Sequence, residues 1–399
     1  MSPVRPRLAF VLIVASTVLG LMGTDLVLPA VPSLPEALGG RASTAQLVLA
    51  AYVAGTCVGL IGYGALGDRY ATPTLLAGSL AATGVASAAC AFAPNLESLV
   101  ALRAVQGAAA AGPAVFAPAI LRAMFEEGGA VRAIGLLGSA ESLAPALAPI
   151  LGAWLLQVGG WQLSFEAIAV LAFALAAGVG TTNAIPQVAR RAGGSYTRLL
   201  TDRVFARYAL SQAFTLGGLL VFVFGVPSVF VRALGLSLAD FIAMQVSGIA
   251  AFILAASSAG RLVARFGAER LITSGTALCA ASAGAILLYA LAGGKNPLLV
   301  TALFVPMNLG LGLRGPPGFF GAIVASGGDD ARGSALVIFA ILAATAVGTA
   351  VIAPWIEQGL APLALAAFAI EVAALVCLAV LPRLPGSPPA AGPAPRTPG

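Results

Sequence analysis

The chain alternates long apolar runs with short clusters of glycine, proline and charged residues. Cutting it at these clusters gives twelve apolar segments, each long enough for a helix of about 20 residues to cross the hydrocarbon core of a bilayer. A β-barrel would instead show alternating segments of about ten residues. The pattern therefore predicts twelve transmembrane α-helices, over residues 8–33, 44–66, 73–92, 97–122, 133–156, 161–182, 204–231, 238–260, 271–292, 297–325, 334–355 and 361–382.

Of the 399 residues, 59% are hydrophobic and only 9% are charged, against roughly 25% charged residues in soluble domains. This composition excludes a soluble globular protein and indicates an all-α integral membrane protein in a lipid bilayer. There is no histidine, and the four cysteines follow no metal-site or disulfide spacing. We expect no metal and no cofactor, so proton chemistry falls to carboxylates. The net charge of +6 does not indicate a nucleic-acid partner, and we expect a monomer.

The positive charges predict the orientation, because cytoplasmic loops carry an excess of arginine and lysine. With the N-terminus in the cytoplasm, only Arg41, Arg232 and Lys295 lie outside. The first segment continues through Pro29 without a small-residue cleavage site, so we expect a retained helix. Both termini are then cytoplasmic in an inner-membrane protein, and the inner side carries Arg5, Arg7, Arg69, Arg122, Arg132, Arg190, Arg191, Arg198, Arg203, Arg207, Arg261, Arg265, Arg270, Arg332, Arg383 and Arg396.

The longest polar connection divides the segments into two sets of six. We predict an N-terminal half over 1–182, a cytoplasmic linker over 183–203 and a C-terminal half over 204–382. The Pro/Gly/Ala-rich tail, 383–399, is expected to be disordered. The loops after the second and eighth segments, GALGDRYATP and RLVARFGAERL, echo each other weakly. Two parallel six-helix halves are a transporter architecture.

The first segment contains a single acid late in the run LMGTDLVLPAVP, residues 21–32. A charge inside hydrocarbon costs at least about 2.5–3.5 kcal/mol, so Asp25 is a candidate functional residue. Pro29 lacks an N–H and crowds the carbonyl four residues earlier, which is that of Asp25. The sequence therefore predicts a carboxylate beside loosened backbone.

Two further segments carry embedded charges. In the fourth, Arg103 shares a face with Gln106, and we expect the arginine either to pair with Asp25 or Glu141 or to extend to the outer surface. In the fifth, Glu141 precedes Pro145 by four residues, as Asp25 precedes Pro29. It is a second candidate proton or substrate carboxylate, unless it reaches the headgroups. Further loosening of this segment is expected at Pro149 and Gly152.

The tenth segment contains Arg314 followed by Pro316 and Pro317. We expect a kinked or broken helix here, with the arginine facing a cavity where it contacts an anionic or polar substrate or repels a proton. The alternative is a purely structural pairing. Glu371 in the twelfth segment faces either the cavity or a neighbouring helix.

Two sets of residues are candidates for lining and closing such a cavity. The tight turn after the second segment would hold the two halves together in one conformation, or is an ordinary charged turn; it contains Gly64, Gly67, Asp68 and Arg69. Aromatic side chains either line a substrate pocket or pack in the core, and the candidates are Tyr52, Phe116, Phe222 and Phe319.

Several of these runs resemble motifs of the major facilitator superfamily, and within it the twelve-helix drug:proton antiporters such as the bicyclomycin-resistance and chloramphenicol/florfenicol exporters. The resemblance implies substrate and proton handling by Asp25 and proton coupling by Arg103. After Asp68 and Arg69 the chain departs from the family's basic run, and Arg314 belongs to no family motif. The matching runs are residues 25–32, 64–69, 102–107, 148–153, 160–165 and 265–267.

Together the residues and the resemblance predict a proton-coupled secondary exporter of small amphiphilic molecules, of the phenicol or multidrug type, working by alternating access. An exporter of an endogenous polar metabolite or metallophore, with Arg314 binding its carboxylate, is the alternative. A proton-coupled importer is also open. The missing histidines and nucleophile motifs argue against a membrane-embedded enzyme, and no soluble signalling domain supports a sensor.

Overall fold

The computed structural model describes residues 4–40, 42–182, 185–188, 194–230, 234–236 and 238–385. Within these ranges the chain forms helices and connecting turns without a strand. Short 3₁₀ helices occupy Leu28–Ser33 and Ala353–Gln358. The α-helices are α1 Val4–Asp25, α2 Leu34–Leu38, α3 Ala42–Leu66, α4 Thr72–Ala91, α5 Leu96–Ala110, α6 Gly112–Met124, α7 Glu127–Gly159, α8 Gln162–Thr181, α9 Tyr196–Thr201, α10 Arg203–Ser228, α11 Leu238–Phe266, α12 Ala268–Leu291, α13 Pro297–Ala325, α14 Asp330–Ile352 and α15 Leu360–Val380.

Eleven stretches are long and apolar enough to cross a membrane, and a bent pair of helices within α7 makes up to twelve. This confirms the predicted all-α membrane fold. The fourth predicted segment is two helices in one span, because α5 gives way to α6 at Ala111, just before Pro113. The predicted linker contains the short helix α9.

Prolines interrupt the spans at two of the three predicted places. Helix α1 ends at Asp25 and continues as a 3₁₀ helix in which Pro29 occupies the first turn. Helix α7 bends by 42° between Pro145 and Leu147. The tenth segment was expected to be kinked or broken, and the break is wrong, since α13 runs as one helix through Pro316 and Pro317. Helices α11 and α12 pack extensively along α13, which favours a continuous helix over a broken one.

The helices pack as two sets that meet along a shared seam. In the first set α3 packs on α5 and α4 on α8, whereas in the second α11 and α12 pack on α13 and α10 packs on α15. The seam consists of α3 and α6 against α14, and of α7 against α11 and α13. Glycine allows the helices of the two sets to approach closely at the seam. At Gly135 on α7, a Cβ would lie only 3.3 Å from Pro316 Cγ on α13.

Some predictions fall on parts of the chain outside the described residues. These are most of the tail, 386–399, the linker stretches 183–184 and 189–193, and the arginines at 41, 190, 191, 232 and 396.

Candidate functional site

Asp25 lies at the point where α1 stops being an α-helix. Val27 N–H bonds to Thr24 O at 3.3 Å instead of to the Gly23 carbonyl, and Ala30 N–H bonds to Val27 O at 3.0 Å. The carbonyls of Gly23 and Leu26 are thereby freed from the helix. The Asp25 side chain is half-buried, and within the described residues its carboxylate has neither a hydrogen bond nor an ion pair.

Arg103 is held by neutral acceptors two turns into α5. The Asn95 side chain starts this helix by accepting from Ser98 N–H at 2.8 Å, so Arg103 is about 12 Å along it. The guanidinium is fully buried. Its Nη1 donates to Gly23 O at 2.9 Å and to Gln106 Oε1 at 2.6 Å, and Nε donates to Val48 O at 3.2 Å. The freed carbonyl of the α1 break is therefore satisfied by the arginine.

A polar chain continues from Arg103 into the neighbouring helices. Gln106 donates from Nε2 to Ser87 Oγ at 2.6 Å, and Ser87 donates in turn to Thr83 O. The Tyr52 ring lies 4.3 Å from the guanidinium carbon, and its hydroxyl donates to Gly20 O at 2.6 Å. We call Arg103, Gln106, Ser87 and Tyr52 the first polar cluster.

The first polar cluster does not contain the predicted ion pair of Arg103 with Asp25 or Glu141. Among the described groups that act on the guanidinium, the ionisable ones are Tyr52 and Cys90. The physical reason is local, because the break in α1 supplies a backbone carbonyl where the sequence suggested a carboxylate. Asp25 consequently remains free to interact with something else.

Glu141 lies on α7 before the bend and faces α1. It is half-buried, and its carboxylate is within reach of the Thr17 side chain. Beyond the bend, Pro149 stays inside the helix, and a Cβ on Gly152 would lie 2.9 Å from the Leu26 carbonyl carbon. The second part of α7 thus covers the loosened backbone next to Asp25.

Arg314 forms a comparable but separate centre in the second set of helices. It is fully buried on α13. Its Nη1 donates to Gln212 Oε1 at 2.6 Å and to Ser211 O at 3.2 Å, and Nη2 donates to Ser211 Oγ at 3.1 Å. The side chain is thus enclosed by α10 and does not face an open cavity as expected. We call Arg314, Ser211, Gln212 and the nearby buried Glu371 the second polar cluster.

The predicted aromatic lining is largely core. Phe116 is buried and packs edge-on to Tyr63 with ring centroids 6.1 Å apart. Phe222 is buried and stacks on Phe304 at 5.6 Å. Tyr52 is buried under Arg103, as described above. Phe319 alone of the four predicted residues is half-buried, and it packs against both sets of helices. Tyr52 and Phe222 are therefore core residues in this conformation, whereas Phe116 also contributes to a small pocket beside Asp68 and Asp329.

The turn containing Asp68 pairs with the start of α14. The Asp68 carboxylate forms an ion pair with Arg332, which also donates to Asp329 at 3.1 Å. Beside it, Arg122 pairs with Asp330 at 2.8 Å. We call these five residues the lock. It joins the two sets at the end of the bundle that carries most arginines, which we call the basic end.

The glycines of the turn allow this contact. A Cβ on Gly67 would lie 2.8 Å from Ala331 Cβ, and one on Gly64 would lie 3.3 Å from Arg332 Cα. Arg69, which the sequence grouped with them, is exposed.

Helix α9 closes over the lock, a role that the sequence did not suggest. Tyr196 donates to Ile61 O at 2.6 Å, and burial raises the pKa of Tyr196 to about 12, so the phenol keeps its proton. Ser195 N–H donates to Asp329 Oδ2 at 3.1 Å, and Arg198 donates to Ser326 O at 2.7 Å. The signal available in the sequence was only a serine three residues before an arginine in a polar linker.

No group of three or more metal-ligating side chains occurs in the part of the chain that the structure describes. The polar groups that do come together suit protons, polar small molecules and inter-helix pairing.

Comparison with known proteins agrees with this arrangement. The chain is 31% identical to the chloramphenicol resistance protein of Pseudomonas aeruginosa over 274 residues, which is 67% of this chain and 64% of that protein. It is 23% identical to a bicyclomycin resistance protein homolog of Haemophilus influenzae, over 67% of this chain and 70% of that one. With the multidrug transporter MdfA of Edwardsiella ictaluri it shares 28% identity over 64% of each chain.

Solved structures share the fold. The transporter FucP, in its outward conformation, superposes with a TM-score of 0.73 at 14% identity, covering 93% of this chain and 97% of that one. The proton:xylose symporter XylE gives a TM-score of 0.72 at 14% identity, covering 94% and 95%. The sequence model of the Major Facilitator Superfamily matches residues 13–353. This multi-pass membrane protein, which is a transporter and not an enzyme, therefore belongs to the Major Facilitator Superfamily.

Proposed function

We propose that the protein is a proton-coupled exporter of small amphiphilic molecules, of the phenicol or multidrug type. The observation that supports this most directly is the Asp25 carboxylate, which is half-buried at a helix break and carries no described partner. The printed names of the relatives, chloramphenicol resistance protein and multidrug transporter, point to the same class of molecule.

Asp25 is suited to bind a proton and a substrate in turn. Because Arg103 donates to neutral acceptors of Gly23, Gln106 and Val48, the carboxylate of Asp25 is not neutralised by an ion pair. A proton and a polar or cationic group of a substrate then compete for one charged site, and this competition couples their fluxes. Glu141, within reach of Thr17 on α1, is a second place where a proton can be held.

The lock would control which side of the membrane reaches this site. We assign the basic end to the cytoplasm, because arginine-rich ends face the cytoplasm, and place both termini there in the inner membrane. With the lock closed, Asp25 is shielded from the cytoplasm. Opening the lock lets the halves 1–182 and 204–382 rock about the central site and admit a substrate. The proton is the only coupling ion needed, and a monomer suffices.

Everted membrane vesicles test the proposal. After respiration has acidified their interior, chloramphenicol and florfenicol should release protons and restore the fluorescence of a pH-gradient dye. Asp25→Asn should abolish this response, whereas Glu166→Gln, which changes an exposed carboxylate on α8, should preserve it. A silent wild-type protein across a broad drug panel, or a full response from Asp25→Asn, would contradict the proposal.

The alternative of a metabolite or metallophore exporter gains nothing from the described geometry. It relied on Arg314 binding a substrate carboxylate, and that side chain is fully buried, with Nη1 and Nη2 bonded to Ser211 and Gln212 inside the protein.

A further inference from the structure

Glu371 is a fully buried carboxylate near the middle of α15. Neither of its oxygens has a hydrogen-bond partner among the described residues. An ionised carboxylate in such surroundings is far more costly than a neutral acid, because nothing replaces the water it has lost. A hydrophobic side chain would fill the same space at lower cost, so packing alone does not account for an acid at this position.

The immediate neighbours of Glu371 are small or polar but uncharged. From α10, a Cβ on Gly218 would lie 3.2 Å from Glu371 Oε1, and the Thr215 hydroxyl on the same helix is buried with no hydrogen-bond partner in the described part of the chain. From α12, the Cys279 thiol interacts electrostatically with the carboxylate. The surroundings therefore leave room for a proton but offer no charge close enough to form an ion pair.

One cation faces Glu371 from a helix further away. Arg314 on α13 interacts with it electrostatically, yet the guanidinium is bonded to Ser211 and Gln212, and its Nε is unpaired. The two ionisable groups of this centre thus lie near each other without forming an ion pair. A movement that brings them together would exchange neutral acceptors for a carboxylate.

Other ionisable groups on the helices around α15 lie toward its ends. Arg207 of α10 donates to Leu378 O, about two turns from Glu371, and pairs with Glu269 of α12. Helix α14 has no charged residue after Arg332, and Glu357 precedes the start of α15 at Leu360. Arg314 and Cys279 are consequently the groups that bear on the protonation of Glu371.

We propose that Glu371 is a proton-binding site of the second set of helices, protonated in the conformation described and ionised when it pairs with Arg314. On ionisation the O–H bond of the acid breaks, its electron pair stays on the oxygen, and the proton passes to water. The role of this proton in transport rests on the proposed function, but the protonation itself can be measured without any substrate.

Infrared difference spectroscopy of the purified full chain in lipid tests the site directly. We expect the carbonyl stretch of a protonated carboxylic acid at neutral pH, lost in Glu371→Gln and retained in Glu166→Gln. Glutamine has the shape of the protonated acid, so the variant should fold, and its thermal transition checks this. A protonated-acid band that is unchanged by Glu371→Gln would overturn the proposal.

Arg314→Gln tests the partner. Without the cation, the Glu371 band should persist to more alkaline pH than in the wild-type protein, and an unchanged pH profile would overturn the pairing step. Wild-type protein can also be treated with the apolar reagent dicyclohexylcarbodiimide, which modifies protonated buried carboxyls. Mass spectrometry should find the label on Glu371 at neutral pH, and its absence together with that of the band would overturn the proposal. Failure of the vesicle assay with an intact Glu371 band would count against the proposed function only.

Discussion

At the scale of single residues, the two buried arginines bind the same kinds of acceptor. Arg103 and Arg314 each donate to a backbone carbonyl of the first span of their own set, Gly23 O and Ser211 O, and each donates at 2.6 Å to a glutamine Oε1. These acceptors are neutral and leave the charge of each guanidinium in place, while Arg103 Nη2 and Arg314 Nε have no partner among the described residues. The acids of the same regions, Asp25 and Glu371, accept no hydrogen bond from these arginines.

Gln106 holds the first polar cluster together, so we expect Gln106→Leu to destabilise the protein. The substitution removes the oxygen that accepts from Arg103 and the N–H that donates to Ser87, and Gln106 is fully buried. Leaving a buried polar group unpaired costs about 1–3 kcal/mol. Thermal unfolding in detergent measures the loss, and Gln157→Leu, at an exposed position of α7, is the matched control. Equal transition temperatures for the two variants would contradict the assigned role.

At the scale of helices, the sequence predicted correctly the two helix interruptions that arise from a proline and its immediate neighbours. Both acid–proline pairs coincide with an interruption, the end of α1 at Asp25 and the 42° bend after Pro145. The Pro316–Pro317 pair predicted a break that α13 does not show. The difference lies in packing by α11 and α12, and such long-range support is invisible in a local pattern.

The partners of the buried charges were likewise beyond sequence reasoning. From the sequence, an acid is the expected partner of Arg103, because an ionised carboxylate inside the membrane is unfavourable unless it is paired. The actual partner, the Gly23 carbonyl, becomes available only when Val27 bonds to Thr24 instead. Glu371 remained undecided for the same reason, since which way a side chain on the last helix faces depends on neighbours far away in the chain.

The contact between α7 and the break in α1 gives a prediction at this scale. A Cβ on Gly152 would meet the Leu26 backbone, at 3.2 Å from its Cα, and backbone cannot move aside as a side chain can. We expect Gly152→Ala to cost about 1–3 kcal/mol through overpacking. Thermal unfolding compares it with Gly62→Ala on α3, where no atom lies within 4 Å of the new Cβ. An equally stable Gly152→Ala would mean that α7 does not press on the break.

At the scale of the whole molecule, the lock decides how the two sets of helices meet. The sequence indicated Asp68 and its glycines either as a turn that holds the halves together or as an ordinary charged turn, and the structure shows that turn against α14. It did not indicate the partner, because Arg332 lies 264 residues away. Tyr196 of α9 and Ser195, which caps that helix, reach the same place from the linker, so three separate stretches of chain converge on one contact.

Removing one charge of the lock should therefore loosen the basic end of the molecule. In Asp68→Asn, Arg332 keeps its bond to Asp329 but loses its ion pair across the seam. Both side chains of that pair are largely buried, so we expect a loss of about 1–2 kcal/mol, equivalent to roughly a 5–30-fold shift toward the open state. Hydrogen–deuterium exchange should rise in peptides covering 60–70 and 326–336. Arg69→Gln, which removes an exposed charge beside Asp68, should leave this exchange unchanged. If the two variants exchange alike, the contact between the two sets depends on packing at Gly64 and Gly67, and the ion pair does not hold the halves together.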